Sequence, residues 1–270
     1  MTNQIELLSW VDETHLDNIH LSKNPNAIDY LMAHPDKINW IFLSFNPKAM
    51  DVLKKSRHRI CWTYLSGNSG AIEYLMENPE NINWNYLSEN PAAIPLLTAN
   101  QNKIEWGRLS SNDNARELLM ANQDKINWKH ASSNPCIIDL LLDNLDKINY
   151  TMFSNNPHPK AIEYLTANPE KINWCSLCSN PSAMDLIHKN KDEICWSCLS
   201  ANPNAIELLK EKQIGINWTL LSSNTSIFDY DYQKMAKERT FILEEDLLTK
   251  TLHPKRIEAW LAAGLSIDDL

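Results

Sequence analysis

Four cysteines carry the most specific chemical spacing in the chain: Cys175-x-x-Cys178 and Cys195-x-x-Cys198. Two such pairs separated by 16 residues match a zinc ribbon, in which four thiolates close a tetrahedral shell around the ion. Other catalytic signals are weak. The eight histidines are scattered (His15, His20, His34, His58, His130, His158, His188, His253) and form no H-x-x-x-H or H-E-x-x-H pair. Ser66-Gly67-Asn68-Ser69-Gly70 is not the G-x-S-x-G of a nucleophile elbow. Gly occurs only 5 times in 270 residues, and no phosphate-cradling or dinucleotide motif is present. These patterns predict no enzyme and no cofactor.

The elements that must position these residues repeat along the chain. Leu21–Trp40 (LSKNPNAIDYLMAHPDKINW) returns as Leu87–Trp106 and again as Leu199–Trp218. The repeat anchors are Trp40, Trp62, Trp84, Trp106, Trp128, Tyr150, Trp174, Trp196 and Trp218. Their spacing is 22 residues except for 24 between Tyr150 and Trp174, where His158-Pro159 is the insertion. Asn18 is a degenerate first anchor, which makes ten repeats. Leu stands three after most anchors and Ser four after in nine of the ten repeats, Cys178 replacing it once. Asn stands six after in all ten: Asn24, Asn46, Asn68, Asn90, Asn112, Asn134, Asn156, Asn180, Asn202 and Asn224.

Asn followed by Pro predicts a helix start. The Asn side chain caps a free first-turn N–H, and Pro at the first position loses no bond. A helix is expected from Pro25, with Ala27, Ile28 and Leu31 on its apolar face. Asn78, Asn100, Asn122, Asn144, Asn168 and Asn190 are expected to end such helices in the left-handed conformation. The stretch from Trp40 to Ser44 reads as a shorter helix, α or 3₁₀, capped by Asn39. Neither helix buries its apolar face alone, but stacked neighbours do. The fold class expected is an all-α solenoid of ten two-helix repeats of about 22 residues. At about 8–10 Å per packed helix, an open stack of ten extends roughly 80–100 Å. A leucine-rich repeat fits worse, because its required apolar positions hold Thr63, Asn85, Gly107 and Lys129.

The register reweighs the cysteines. Cys175 and Cys178 stand one and four after Trp174, whereas Cys195 and Cys198 stand one before and two after Trp196. At about 100° per residue the two pairs face opposite sides of equivalent helices. Free, partly buried thiols are expected, and zinc bound by Cys175, Cys178, Cys195 and Cys198 is the third functional reading. The Trp ladder recurs with Ile and Leu, so it is expected to be a largely buried spine rather than a stacking platform. Eleven after the anchor the residue is acidic in nine repeats, and three before it is basic in six. The acidic row predicts a partner surface around Asp185, Glu193 and Glu207, where the basic row lapses.

Residues 1–17 are expected to form an N-terminal cap, 18–231 the solenoid and 232–270 a helical C-terminal cap. In the last segment helices are expected over 243–251 and from Pro254, with Ile257, Trp260 and Leu261 on one face and a stop at Gly264. Asp231 takes the Leu position of the tenth repeat. The formal charge of −9 opposes nucleic acid and anionic membrane as partners. No apolar run approaches a membrane span, and MTNQIELLSW is unlike a signal peptide, so a reducing, non-secreted setting is expected.

The block L-S-x-N-P-x-A-I-x-x-L-x-x-N-P-x-K-I-N-W resembles short tandem repeats in proteins of the giant (nucleocytoplasmic large DNA) viruses. Leu7-Leu8-Ser9-Trp10-Val11 and His253-Pro254-Lys255-Arg256-Ile257 through Gly264 are similar to the flanks of those proteins. The resemblance implies a viral origin, and with it the host cytoplasm or the virion as location. A weaker similarity, of architecture only, is to leucine-rich variant repeats. The function expected is a non-catalytic scaffold or adaptor that binds a protein partner, with a structural virion component as the alternative.

Overall fold

The computed structural model describes residues 5–213, 215–230, 232–251 and 253–263. They divide into two units, Leu7–Phe228 and a smaller one formed by the terminal segments. The larger unit is the repeat array. Each repeat opens with a short α-helix at its anchor, such as Trp40–Leu43 or Trp84–Ser88. In most repeats a 3₁₀ turn over the Asn-Pro segment follows, such as Pro47–Ala49, and leads into a second α-helix, Met50–Lys55; repeat five has no 3₁₀ turn before Arg116–Ala121, and in repeat ten the turn Thr225–Ile227 leads into the strand Phe228–Tyr230. A further 3₁₀ turn, Arg57–Arg59, returns the chain to the next anchor. The insertion at His158-Pro159 makes the seventh repeat differ: its second helix is one α-helix, Pro159–Ala167.

The core is a stack of small, identical layers. Leu43, Leu65, Leu87 and Leu109 on the first helices are fully buried, as are Ala49, Ala71 and Ala93 below them and Leu53, Leu75 and Leu97 on the second helices. Between them runs a buried polar ladder. Asn46 Nδ2 donates to the carbonyls of Ser22 (3.0 Å) and Asn24 (2.9 Å), and its Oδ1 accepts the Lys48 N–H at 3.0 Å. The amide donates to the same two carbonyl positions of the preceding repeat at Asn68, Asn90, Asn112, Asn134, Asn156, Asn180, Asn202 and Asn224. Each Asn therefore caps its own turn and clamps the preceding repeat. The Ser beside it does similar work: Ser44 Oγ donates to the Trp40 carbonyl and accepts the Cys61 N–H, both at 2.9 Å. Every buried polar group in this ladder is paired, which is the condition for polar groups in a core to stabilise it.

The array does not extend as an open stack, because its ends meet. Asn24 Nδ2 donates to the carbonyls of Ser222 (3.2 Å) and Asn224 (2.9 Å), and the Asp17 N–H donates to Ser222 Oγ at 2.8 Å. Asn26 reaches the Thr225 carbonyl at 3.0 Å, as Asn114 reaches that of Pro91 and Asn204 that of Pro181 at 2.9 Å. Repeat one thus docks on repeat ten in the register used at every internal junction, and the unit is a closed ring. The Leu8 N–H donates to the Ile227 carbonyl at 2.9 Å, and Ile5–Leu7 pairs with Phe228–Tyr230 as a two-stranded sheet. Neighbouring repeats approach most closely along the first helices and the Asn-Pro turns, and their second helices lie further apart. The repeats are therefore wedges, with the first helices on the inner wall and the second helices on the rim.

One local expectation is corrected. The Asn residues that end the second helices are not left-handed: Asn78, Asn100, Asn122, Asn144, Asn168 and Asn190 have φ between −124 and −135. Their amides instead donate to the carbonyl four residues back, as Asn100 does to Leu96 at 2.9 Å, so the side chain satisfies the helix end. The anchor Trp residues are half-buried at the edge of the core, and none is exposed. Their rings are covered by the basic residue of the return turn that closes the same repeat: Arg59 over Trp40 (4.6 Å), Lys103 over Trp84 (4.4 Å), Lys125 over Trp106 (4.5 Å) and Lys147 over Trp128 (4.4 Å). At the ring's seam His15 holds the same register and stacks on Trp218 at 5.1 Å.

The smaller unit holds two helices, Tyr232–Thr251 and Pro254–Ala262. The first is more than twice as long as the 243–251 helix expected. Phe241, Ile242 and Leu243 on it are exposed. Asp231 and Gly264 lie outside the described residues, as does the side chain of Leu261. No helix among the described residues is long and apolar enough to cross a membrane.

Candidate functional site

Within each repeat most positions are committed to the ring: Leu and Ser three and four after the anchor, and Asn six after. The position two after the anchor is not. It points from the first helix, on the inner wall, and carries a different chemistry in successive repeats: Phe42, Tyr64, Tyr86, Arg108, His130, Met152. Its signal in the sequence is variability between the fixed anchor and the fixed Leu, a signal that residue-type motifs do not report.

In repeats two to five these side chains form one continuous row. The rings of Phe42 and Tyr64 lie 5.1 Å apart, and those of Tyr64 and Tyr86 5.2 Å. Cations close both ends: Lys23 sits 4.6 Å from the Phe42 centroid and Arg108 4.2 Å from that of Tyr86. Arg108 Nη1 donates to Glu89 at 2.6 Å. Burial works against the Arg108 charge, but the Glu89 carboxylate outweighs it and raises the guanidinium pKa. The hydrogen bond with Tyr86 raises the pKa of the Tyr64 hydroxyl. Lys23, Phe42, Phe45, Tyr64, Tyr86 and Glu89 line a groove of about 270 Å³. A second groove of about 490 Å³ begins at the same Glu89 and runs past Arg108 and His130 to Met152.

Further round the inner wall the cysteines divide differently from the sequence expectation. The Sγ atoms of Cys175, Cys195 and Cys198 all lie within 4.8 Å of one another. The predicted opposition of the two pairs fails because Cys195 is not on a helix. It is the extended cap residue of Trp196–Leu199, with φ −85 and ψ 93, so a rotation of 100° per residue does not apply to it. Cys178 stands apart, buried in the Ser position, where its Sγ accepts the Cys195 N–H at 3.3 Å. Burial raises the Cys178 thiol pKa. Burial also opposes ionisation of Cys195, but hydrogen bonds from Cys198 and Cys175 outweigh it and lower that thiol. Burial, and then the bond to Cys195, push Cys198 up to about 12.

The acidic residues singled out for a partner are on the rim and the return turns. Asp185 and Glu207 are exposed on the second helices Met184–Lys189 and Ile206–Lys212, and Glu193 is exposed on the turn Lys191–Glu193. Glu207 lies 3.9 Å from Lys210. Apart from Lys37, which lies over Tyr30 and pairs with Glu13, the basic row is engaged with the anchor rings, and among the described residues none of it pairs with these acids.

No protein-family model, no curated protein and no solved structure matches the chain.

Proposed function

We propose that the chain is a non-catalytic binding ring, a scaffold or adaptor that receives an extended segment of a protein partner along its inner wall. The carrying observation is the row Lys23, Phe42, Tyr64, Tyr86 and Arg108, open to a groove, four of whose members stand at a first-helix position that the repeat leaves variable. Aromatic faces with a cation at each end favour a segment that alternates apolar and acidic side chains. Tyr and Arg in a partly enclosed groove are the residue types that dominate binding energy at interfaces. The resemblance of the repeat to those of giant-virus proteins supports a viral origin. A structural place in the virus particle is the alternative, and abundance in purified particles decides it.

The acidic rim is a second surface for a basic partner, favoured by the engagement of the basic row with Trp rings rather than with Asp185 and Glu193. Photo-crosslinking residues placed at Tyr64 on the wall and at Asp185 on the rim separate the two surfaces. The inner-wall reading expects the partner on Tyr64, and expects Tyr64→Ala and Tyr86→Ala each to weaken that partner's binding by about 2 kcal/mol. Adducts confined to Asp185 transfer the function to the rim.

A further inference from the structure

We propose that Cys175, Cys195 and Cys198 form a three-thiolate site for one soft metal ion, of the zinc(II) or copper(I) kind, bridging repeats eight and nine on the inner wall. Three distinct register positions converge there: one after an anchor, and one before and two after the next. Their sulfurs are within 4.8 Å of one another, and all three are free thiols. Thiolates bound to a tetrahedral ion at about 2.3 Å stand about 3.8 Å apart, so a small contraction completes the site.

The chain supplies its own comparison. Cys61 also stands one before an anchor and also lacks a capping bond, but its convergent positions hold Ile41 and Tyr64. A Cys at the cap position is therefore tolerated without neighbours. At Cys195 all three positions carry sulfur. Among the described residues no His, Asp or Glu joins the group. Three sulfurs satisfy a trigonal copper(I) or leave a fourth position on zinc(II) for water. Binding displaces the thiol protons to solvent, with no change in oxidation state of sulfur or metal. Cys178 is excluded as a ligand, because its Sγ replaces the Ser Oγ that receives the next repeat's cap N–H elsewhere.

The test uses the full reduced chain and two probes: zinc(II) against a chromophoric chelator, and copper(I) against a copper(I)-specific chelator without oxygen. One ion per chain is expected, of whichever kind the competition favours. Cys175→Ser, Cys195→Asn and Cys198→Ser should each weaken it by about tenfold or more. Asn is the residue at the cap position of most other repeats, so Cys195→Asn keeps the fold. Cys178→Ser and Cys61→Ser should leave affinity unchanged. Failure of both ions to bind one per chain overturns the site. So does loss of binding in Cys178→Ser, which restores the four-cysteine ribbon, and so does retention of binding in Cys175→Ser.

Discussion

The seam between repeats ten and one and an internal junction such as that between repeats four and five are built from the same parts. At the internal junction Asn112 clamps Ser88 and Asn90, and Ser88 receives the Glu105 N–H. At the seam Asn24 clamps Ser222 and Asn224, and Ser222 receives the Asp17 N–H. The difference lies around the ladder. Internal cap positions mostly carry Asn, and basic side chains cover the Trp rings. The seam uses Asp17 with His20 at 2.6 Å, His15 on Trp218, and Glu13 accepting from Tyr30 at 2.9 Å and from Lys37. The buried ladder dictates how repeats dock, and the exposed edge carries what distinguishes one junction from another.

The comparison is broken most severely by removing an Asn clamp. Asn112→Ala takes the amide away from the buried Ser88 and Asn90 carbonyls, of which the second keeps only the Ala93 N–H, and leaves a turn uncapped, a loss of about 3–5 kcal/mol. In a closed ring Asn24→Ala should cost about the same in chemical denaturation. A much smaller loss at Asn24 would mean that its carbonyl partners face solvent. Leu109→Ala should cost about 3 kcal/mol as a core truncation. Trp106→Ala should cost no more than that, because the ring is half-buried. A Trp106 loss well above the Leu109 loss would make the Trp ladder, not the Leu layer, the main support of the core. Lys125→Met removes one cation from a Trp face and should cost only about 0.5–1 kcal/mol in the same measurement.

Acid should separate the two junctions. The hydrogen bond from Tyr30 and the charge of Lys37 hold Glu13 below the ordinary carboxylate range, and bonds from His20 do so for Asp17 against the effect of burial. A lowered carboxylate stabilises the fold above its unfolded pKa, and the contribution is lost as pH falls through the folded one. Hydrogen exchange below about pH 4 should therefore open repeat one before repeat five, whose cap residue Glu105 makes no ion pair among the described residues. Simultaneous opening would show that the seam carboxylates contribute nothing.

Much of the repeat was legible in the residues. Asn-Pro marked the turn, and the fixed Leu, Ser and Asn marked the layer. Closure was not legible, because it is the sum of ten small rotations and no residue type encodes an angle. Its trace was the retention of Asn24, Ser222, Asn224 and Trp218 in the terminal repeats, where an exposed end would favour replacements. The cysteine cluster was hidden by applying a helical wheel to Cys195, whose backbone is extended. The inner row was hidden because variability is informative only once its neighbours are known to be structural.

Ring closure is tested most directly by a short-range distance across the seam. Spin labels introduced as unnatural amino acids at Asn26 and Ser226, with the six native thiols intact, report it by dipolar broadening. A reference pair at Asn26 and Lys48 reports an internal junction. A closed ring predicts the same broadening for both pairs. An open array separates residues 26 and 226 by nine repeat steps, roughly 70–90 Å. A broadened reference pair beside an unbroadened seam pair would contradict the ring.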